Sequence, residues 1–436
     1  MQVGTQQSLA SGDGGASRAA GLRVFVYALF FIFGGITSLN DVLIPKLKAL
    51  FTLSYAEVML VQSAFFVAYF VVSPFAAGII QRLGYMRAAV VGLLTMMAGC
   101  LLFVPASGSG MFVTFLVALF ILAAGITIVQ VVANPLISML GAPTTAHSRL
   151  TFAQAFNSLG TTIFPYVGSI IILGSLSKID PKTLTGAALS DFHSSESHVV
   201  ALTYIGLAVA LLLVAAVVWS FRKSLTETPE KDIGLLTAFG LLRQPRFAFG
   251  AACIFLYVGA EVAIGSLIVN YLMQTDVLGL STRDAGEHVP IYWGGALIGR
   301  FVGAGLLRVV APGKLLAGAA AVVLALLAVS ANTTGVVSGW TLLSIGLFNS
   351  IMFPTIFSLA CEGLGKRAAE GSGVICMAIV GGAVVPLAAG LAADHLGLRG
   401  GLIVPAVCYI GILAFGAYAR RSIAADPTLP ETAPAV

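Results

Sequence analysis

Apolar residues in this chain come in long blocks separated by short polar connections. Twelve blocks occupy roughly 22–45, 55–80, 86–106, 111–140, 149–174, 198–221, 246–273, 286–308, 314–331, 338–362, 370–393 and 399–420. Each comes close to, or exceeds, the ~20 residues a helix needs to cross a bilayer. The pattern predicts an all-α membrane protein with twelve transmembrane helices. Proline and glycine inside the blocks are compatible with spans, because neighbouring helices satisfy the backbone groups they free. An even count places both termini on one side.

The connections are uneven in charge. If the termini are cytoplasmic, the inner segments carry most of the Lys and Arg, including Arg82, Arg87, Arg149, Arg222, Lys223, Arg243, Arg246, Arg308, Lys314, Lys366 and Arg367. The outer segments carry only Lys46, Lys48, Lys178, Lys182, Arg283 and Arg399. This bias predicts cytoplasmic termini. The most polar inner connection, 222–245, reads as a linker between two six-helix bundles, 22–221 and 246–421. Residues 1–21, rich in Gly, Ser and Ala, read as a disordered tail without a signal peptide; 422–436 read as a C-terminal tail. The outer connection at 175–197 is also long and polar.

The bundles echo each other. GIIQRLGYMRAAVVG after span two has the same layout as GRFVGAGLLRVVAPGKLLAG after span eight. Pro135 and Pro165 stand 30 residues apart, Pro354 and Pro386 32 apart, in similar surroundings. Weak parallel repeats of this kind suit a pseudosymmetric transporter that binds its ligand near the bilayer midplane.

Composition narrows the function. Hydrophobic residues make up 58% of the chain and charged ones 9%, against about 25% charged in a soluble domain. The net charge of +5 is spread over short loops, so no nucleic-acid partner is expected. The five cysteines form no C-x-x-C pair, and neither a metal site nor a cofactor is expected. No phosphate-binding Gly-Lys-Ser/Thr loop occurs, so ATP is not the energy source. Gly295, Gly299 and Gly303 sit in a long apolar helix, which makes them a helix-packing face and not a dinucleotide loop.

The candidate chemistry starts at 33–45, FGGITSLNDVLIP. Asp41 lies there beside Asn40 and Ser38. An acid inside a span costs about 3 kcal/mol or more on insertion scales, which marks it as a functional candidate. Its alternative is an interfacial position near the helix end. Glu261 lies deep in span seven and is either satisfied by neighbours or a second titrating group. Gln130 and Asn134 share a face of span four, and Gln154 and Asn157 a face of span five. Such amides either join helices or offer paired donors and acceptors to a hydroxyl-rich ligand. Asn270, Asn349 and Trp293 are further ligand candidates in the second half. Arg82, Arg87, Arg308 and Lys314 read as inner-loop and gate residues. Arg300, inside span eight, is expected to pair with an acid of an inner loop or helix end.

Three stretches carry a family likeness: SLNDVLIPKLK (38–48), ITIVQVVANP (126–135) and SRLTFAQAFNSLGTTIFP (148–165). With them, the chain resembles the major facilitator superfamily, in its fucose and glucose/galactose permease branch, over about 22–420. RLGYMR (82–87) resembles the less specific inner-loop motif of the superfamily. The resemblance implies a secondary transporter with alternating access, a sugar substrate and a coupling proton. It implies protonation at Asp41 and sugar contacts at Gln154 and Asn157; Ser38 and Asn40, beside Asp41, are further sugar-contact candidates. The span-four glutamate of the fucose pattern is Gln130 here, and a span-one asparagine is Ser38. These departures favour a glucose/galactose-like hexose and remove one titratable group, a gap Glu261 is expected to fill. Localisation in a bacterial inner membrane and function as a monomer are expected. Rival readings are a sodium-coupled or uncoupled carrier, with a hexose, fucose or N-acetylglucosamine as cargo. A membrane enzyme is disfavoured, because all five His residues fall in or beside predicted loops.

Overall fold

The computed structural model describes residues 13–51, 55–109, 111–168, 186–222 and 238–420, without the side chains of several helical residues, Asn40 and Asp41 among them. Among the described residues twelve long helices follow one another: α1 Asp13–Phe51, α2 Tyr55–Leu83, α3 Tyr85–Ser109, α4 Phe112–Met139, α5 Ala146–Gly168, α6 Ala187–Ser220, α7 Pro245–Met273, α8 Thr282–Leu306 and α9 Pro312–Asn332, then α10 Gly335–Ala360, α11 Ala368–Gly401 and α12 Ile403–Ala419. Nine contain a stretch long and apolar enough to cross a membrane, and α12 is a shorter apolar helix. The more polar α5 and α8 complete the set. In lipid every backbone amide needs an internal partner, so a chain with this hydropathy folds as helices.

Two helices begin earlier than the hydrophobic blocks. α1 starts at Asp13, inside the expected tail, and α6 starts at Ala187, inside the expected outer loop. Most of the proposed linker (223–237), the outer connection 169–185 and the tail beyond residue 420 lie outside the described residues. Among the positive-φ glycines, Gly84 (φ 81°) turns the chain between α2 and α3 and Gly397 (φ 77°) near the end of α11, where a side chain would be strained.

Helices α1–α6 pack on one another, as do α7–α12; the halves meet where α2 and α4 face α11, and where α5 faces α8 and α10. Glycine sets the closest approaches. A methyl on Gly160 of α5 would overlap the Phe31 carbonyl of α1. Gly34 lies against Asn157, and Gly35 against Phe164. The Gly295–Gly299–Gly303 stripe does pack closely, with Gly299 against Leu347 and Ser350 and Gly303 against Ile351.

One end of the bundle carries the α2–α3, α4–α5, α8–α9 and α10–α11 connections and most of the basic residues. There the halves are tied together. Gln81 of α2 donates to Glu370 of α11 at 3.1 Å. Glu370, 2% exposed, also receives Arg367 Nε at 3.0 Å and a terminal nitrogen at 2.8 Å. Ser148 of α5 donates to the Ala304 carbonyl of α8 at 2.7 Å, and Arg308 Nε reaches the Ser148 hydroxyl at 3.3 Å. Arg149 caps the end of α4 through the carbonyls of Ile137, Ser138 and Ala142, groups a helix end leaves without internal partners.

Candidate functional site

In the second half, polar groups gather around a break in α10. That helix is interrupted between Asn349 and Met352. Both ends of the buried Asn349 amide are used: Nδ2 donates to the Tyr292 hydroxyl at 2.9 Å, and Oδ1 accepts from Tyr409 at 2.7 Å. The Tyr257 hydroxyl lies 2.7 Å from Glu261 Oε1 and 3.0 Å from the Asn349 carbonyl. Its single proton is shared between them. Were Glu261 protonated, it could donate to Tyr257 while Tyr257 donates to Asn349. Tyr292 also reaches the Glu261 backbone carbonyl at 3.4 Å. The indole of Trp293 meets the Tyr292 ring edge-to-face at 5.1 Å. It rests on Gly265, one turn beyond Glu261, where a Cβ would stand 3.3 Å from the indole.

Proline explains a second use of the α10 break. Pro354 has no N–H to offer the carbonyl four residues back, that of Ser350. Arg300 Nε of α8 takes that carbonyl at 3.3 Å. A terminal nitrogen of the same guanidinium donates across to the first half, to the Gln154 carbonyl at 3.1 Å and to the Ser158 hydroxyl. The first half repeats the device. Pro135 of α4 leaves the Val131 carbonyl without its helical donor, and Ser372 of α11 donates to it at 2.9 Å. Each half thus carries a proline-freed carbonyl bonded to a side chain that lies at the junction of the halves.

In the first half, Gln130 of α4 is buried and its Oε1 accepts from the Tyr69 hydroxyl of α2 at 2.7 Å. On α1, the Thr37 hydroxyl donates to the Phe33 carbonyl of its own helix at 2.7 Å. Asp41 stands one helical turn beyond Thr37 on α1; its side chain, and that of Asn40, lie outside the described residues. Ser38 is buried and donates to the Gly35 carbonyl of its own helix at 2.8 Å. Asn157 bridges α5 to α1 through the Phe30 carbonyl at 3.4 Å.

The sequence profile of the Major Facilitator Superfamily matches residues 26–379. The chain belongs to that superfamily. It is 44% identical to the glucose/galactose transporter of Brucella abortus over 394 residues, 90% of this chain and 93% of the relative. It is 32% identical to the L-fucose-proton symporter of Escherichia coli over 421 residues, 94% and 96% of the two chains. The Escherichia coli fucose permease in its outward conformation superposes with a TM-score of 0.84 at 30% identity, covering 93% of this chain and all of the other.

Within this facilitator, the candidates divide. Gln130 and Gln154 are buried between helices, whereas Trp293 is 42% exposed and rests on Gly265, one turn from Glu261. Asn349 and Ser38 have their polar atoms taken by neighbours. Asn270 is exposed and stands nine residues from Glu261, half a revolution around α7, so the fold does not bring it to the α10 break. Arg82, Arg87 and Lys314 are exposed at the basic end, whereas Arg308 touches the opposite half. Arg300 departs from its expectation: among the described residues its hydrogen bonds go to two carbonyls and a hydroxyl and not to an acid of a loop or helix end. Sequence reading passed over Tyr69, Tyr409, Ser158, Ser372 and the Gln81–Glu370 pair. For Glu370, an acid at the start of an apolar block was a usable signal. The tyrosines and serines gave none.

Proposed function

We propose that the protein imports a neutral hexose of the glucose/galactose type together with a proton, by alternating access between the halves. The observation that carries this reading is the chemistry around the α10 break and the Tyr69–Gln130 pair. Amides and hydroxyls surround Glu261, and the nearby cation, Arg300, has its Nε and a terminal nitrogen engaged by protein groups. An anionic cargo would want free cations; a sugar wants neutral groups that donate and accept. The 44% identity to a protein named for glucose and galactose points the same way.

Asp41 is the principal coupling acid in this proposal. Its helix packs on α2 and α4, which carry Tyr69 and Gln130, the latter standing where the fucose pattern has a second acid. Glu261 supplies the second titrating group from the other half. Gln130, Gln154 and Trp293 contact the sugar, and Asn40 joins them from α1. The basic end, both termini included, faces the cytoplasm of a bacterial inner membrane. The conformation is then outward-facing, closed on the cytoplasmic side by the Gln81–Glu370, Ser148–Ala304 and Ser372–Val131 contacts. The two bundles are the moving parts.

Two results test these roles. In Glu261→Gln the residue stays neutral at every pH, so sugar exchange in proteoliposomes is expected to persist at alkaline pH where wild type slows; an unchanged pH profile removes Glu261 from the mechanism. Ser372→Ala deletes one hydrogen bond across the closed gate, worth ~1 kcal/mol, which is a roughly fivefold shift in population. Alkylation of a cysteine introduced beside Ala304 is expected to quicken by about that factor, and no change would show that the bond does not hold the gate. The function itself is tested with a panel of labelled hexoses in proteoliposomes, with and without an imposed pH gradient. Uptake of none of them, or uptake indifferent to the gradient, contradicts it.

A further inference from the structure

Arg300 is a cation placed deep in a span, where an unpaired charge is unfavourable by about 3 kcal/mol or more. Its present partners come from two sources. Ser350 belongs to its own half and is freed by Pro354. The Gln154 carbonyl and the Ser158 hydroxyl belong to α5 of the other half. Alternating access must part α5 from α8 at the basic end. Once it does, the guanidinium keeps Ser350 and loses both α5 partners.

An anion-forming group waits nearby. Ser350 is adjacent in sequence to Asn349, whose carbonyl accepts from Tyr257, and Tyr257 also reaches Glu261. Arg300 is thus bonded to the residue next to the one whose carbonyl shares the Tyr257 hydroxyl with Glu261. The groups facing Glu261 are Tyr257 on α7, Tyr292 and Arg300 on α8, Tyr409 on α12 and the uncharged Asn349 on α10. Among these, Arg300 alone is cationic.

We infer that Arg300 is the coupling cation of the transport cycle: it straps α8 to α5 while the basic end is closed, and becomes the counter-charge of ionised Glu261 once that end opens. This rests on the proton-coupled reading above and extends it. With the gate closed, Arg300 is held on α5 and a neutral Glu261 completes the Tyr257–Asn349 chain. With the gate open, Arg300 turns to Glu261. The Glu261 O–H bond then breaks, the proton passes to water on the cytoplasmic side, and the carboxylate stays paired with the guanidinium. Arg300 keeps its own protons throughout. Closure of the basic end draws Arg300 back to α5, and Glu261 takes a new proton from the outer side. Because Gln154, a sugar-contact candidate, shares the α5 turn that holds Arg300, sugar release and proton release follow from one movement.

The test uses purified full-length protein in proteoliposomes with labelled galactose or glucose, comparing wild type, Arg300→Gln and Arg300→Lys. Two readouts are taken: accumulation driven by an imposed pH gradient, and counterflow across a pH series. The glutamine variant is expected to lose accumulation while counterflow continues, its pH profile displaced toward higher pH because a nearby cation favours an ionised carboxylate. The lysine variant keeps the charge and is expected to accumulate sugar with a displaced profile. Accumulation by the glutamine variant equal to wild type overturns the inference and leaves symport standing. Loss of both accumulation and counterflow in both variants makes Arg300 a strut only, and also overturns it. Should the glutamine variant not fold, an unchanged pH profile in the lysine variant is the overturning result. A wild type that exchanges sugar but ignores the pH gradient is the separate outcome that defeats symport itself.

Discussion

Asp41→Asn is expected to abolish sugar accumulation driven by a pH gradient while sparing sugar exchange. The substitution changes proton chemistry and not shape. Asparagine keeps nearly the same volume and can still offer hydrogen bonds, but it cannot take up and release a proton. A gradient of one pH unit corresponds to about 1.4 kcal/mol. A carrier coupled to one proton therefore accumulates sugar up to about tenfold per pH unit, and an uncoupled one only equilibrates it. Exchange moves a sugar each way with no net proton, so it survives if the variant still changes state. Comparing the two assays in the same vesicles separates coupling from folding. Persistent tenfold accumulation in Asp41→Asn would move the coupling role to Glu261 alone.

The twelve spans were legible because the bilayer imposes a length and a polarity on each of them, and hydropathy reports both. It reports less about where a helix ends. α1 and α6 run past their apolar blocks because a helix continues into the interface on its own backbone bonds, which carry no hydrophobic mark. The relative polarity of α5 and α8 has a physical reason: both face the junction of the halves, where Ser148, Gln154, Ser158 and Arg300 meet. The glycine stripe on α8 was readable, since four-residue spacing on one face has a steric meaning.

The candidate site was legible only in part. Acids and amides in apolar helices stand out, and Glu261, Gln130 and Gln154 are placed among polar neighbours. Which of two jobs an amide does depends on partners from other helices, and nothing local in sequence records them. Ser38 turned to its own backbone, and Asn157 reached across to α1. Arg300 illustrates the limit most sharply. Its charge alone predicts an acidic partner, but its partners are a carbonyl exposed by a proline 54 residues later and two groups on a helix of the other half. Proline was visible; the cation that answers it was not.

Asn349→Ala is expected to have the other largest effect, on stability and transport together. Asn349 holds three helices at the α10 break, donating to Tyr292 of α8 and accepting from Tyr409 of α12. Alanine removes both bonds and leaves two tyrosine hydroxyls short of a partner. Interhelical hydrogen bonds in membranes are worth about 0.6–2 kcal/mol each, so the pair amounts to about 1–4 kcal/mol. The same change loosens the turn that carries the Tyr257 and Arg300 contacts, so maximal transport is expected to fall along with the melting temperature in detergent. A residue that only touched sugar would behave differently: its KM would rise and its thermal stability would stay put. Measuring both on Asn349→Ala, with Asn349→Asp as the variant that keeps an acceptor for Tyr409, decides between hub and ligand. An unchanged melting temperature with a raised KM would return Asn349 to the sugar site.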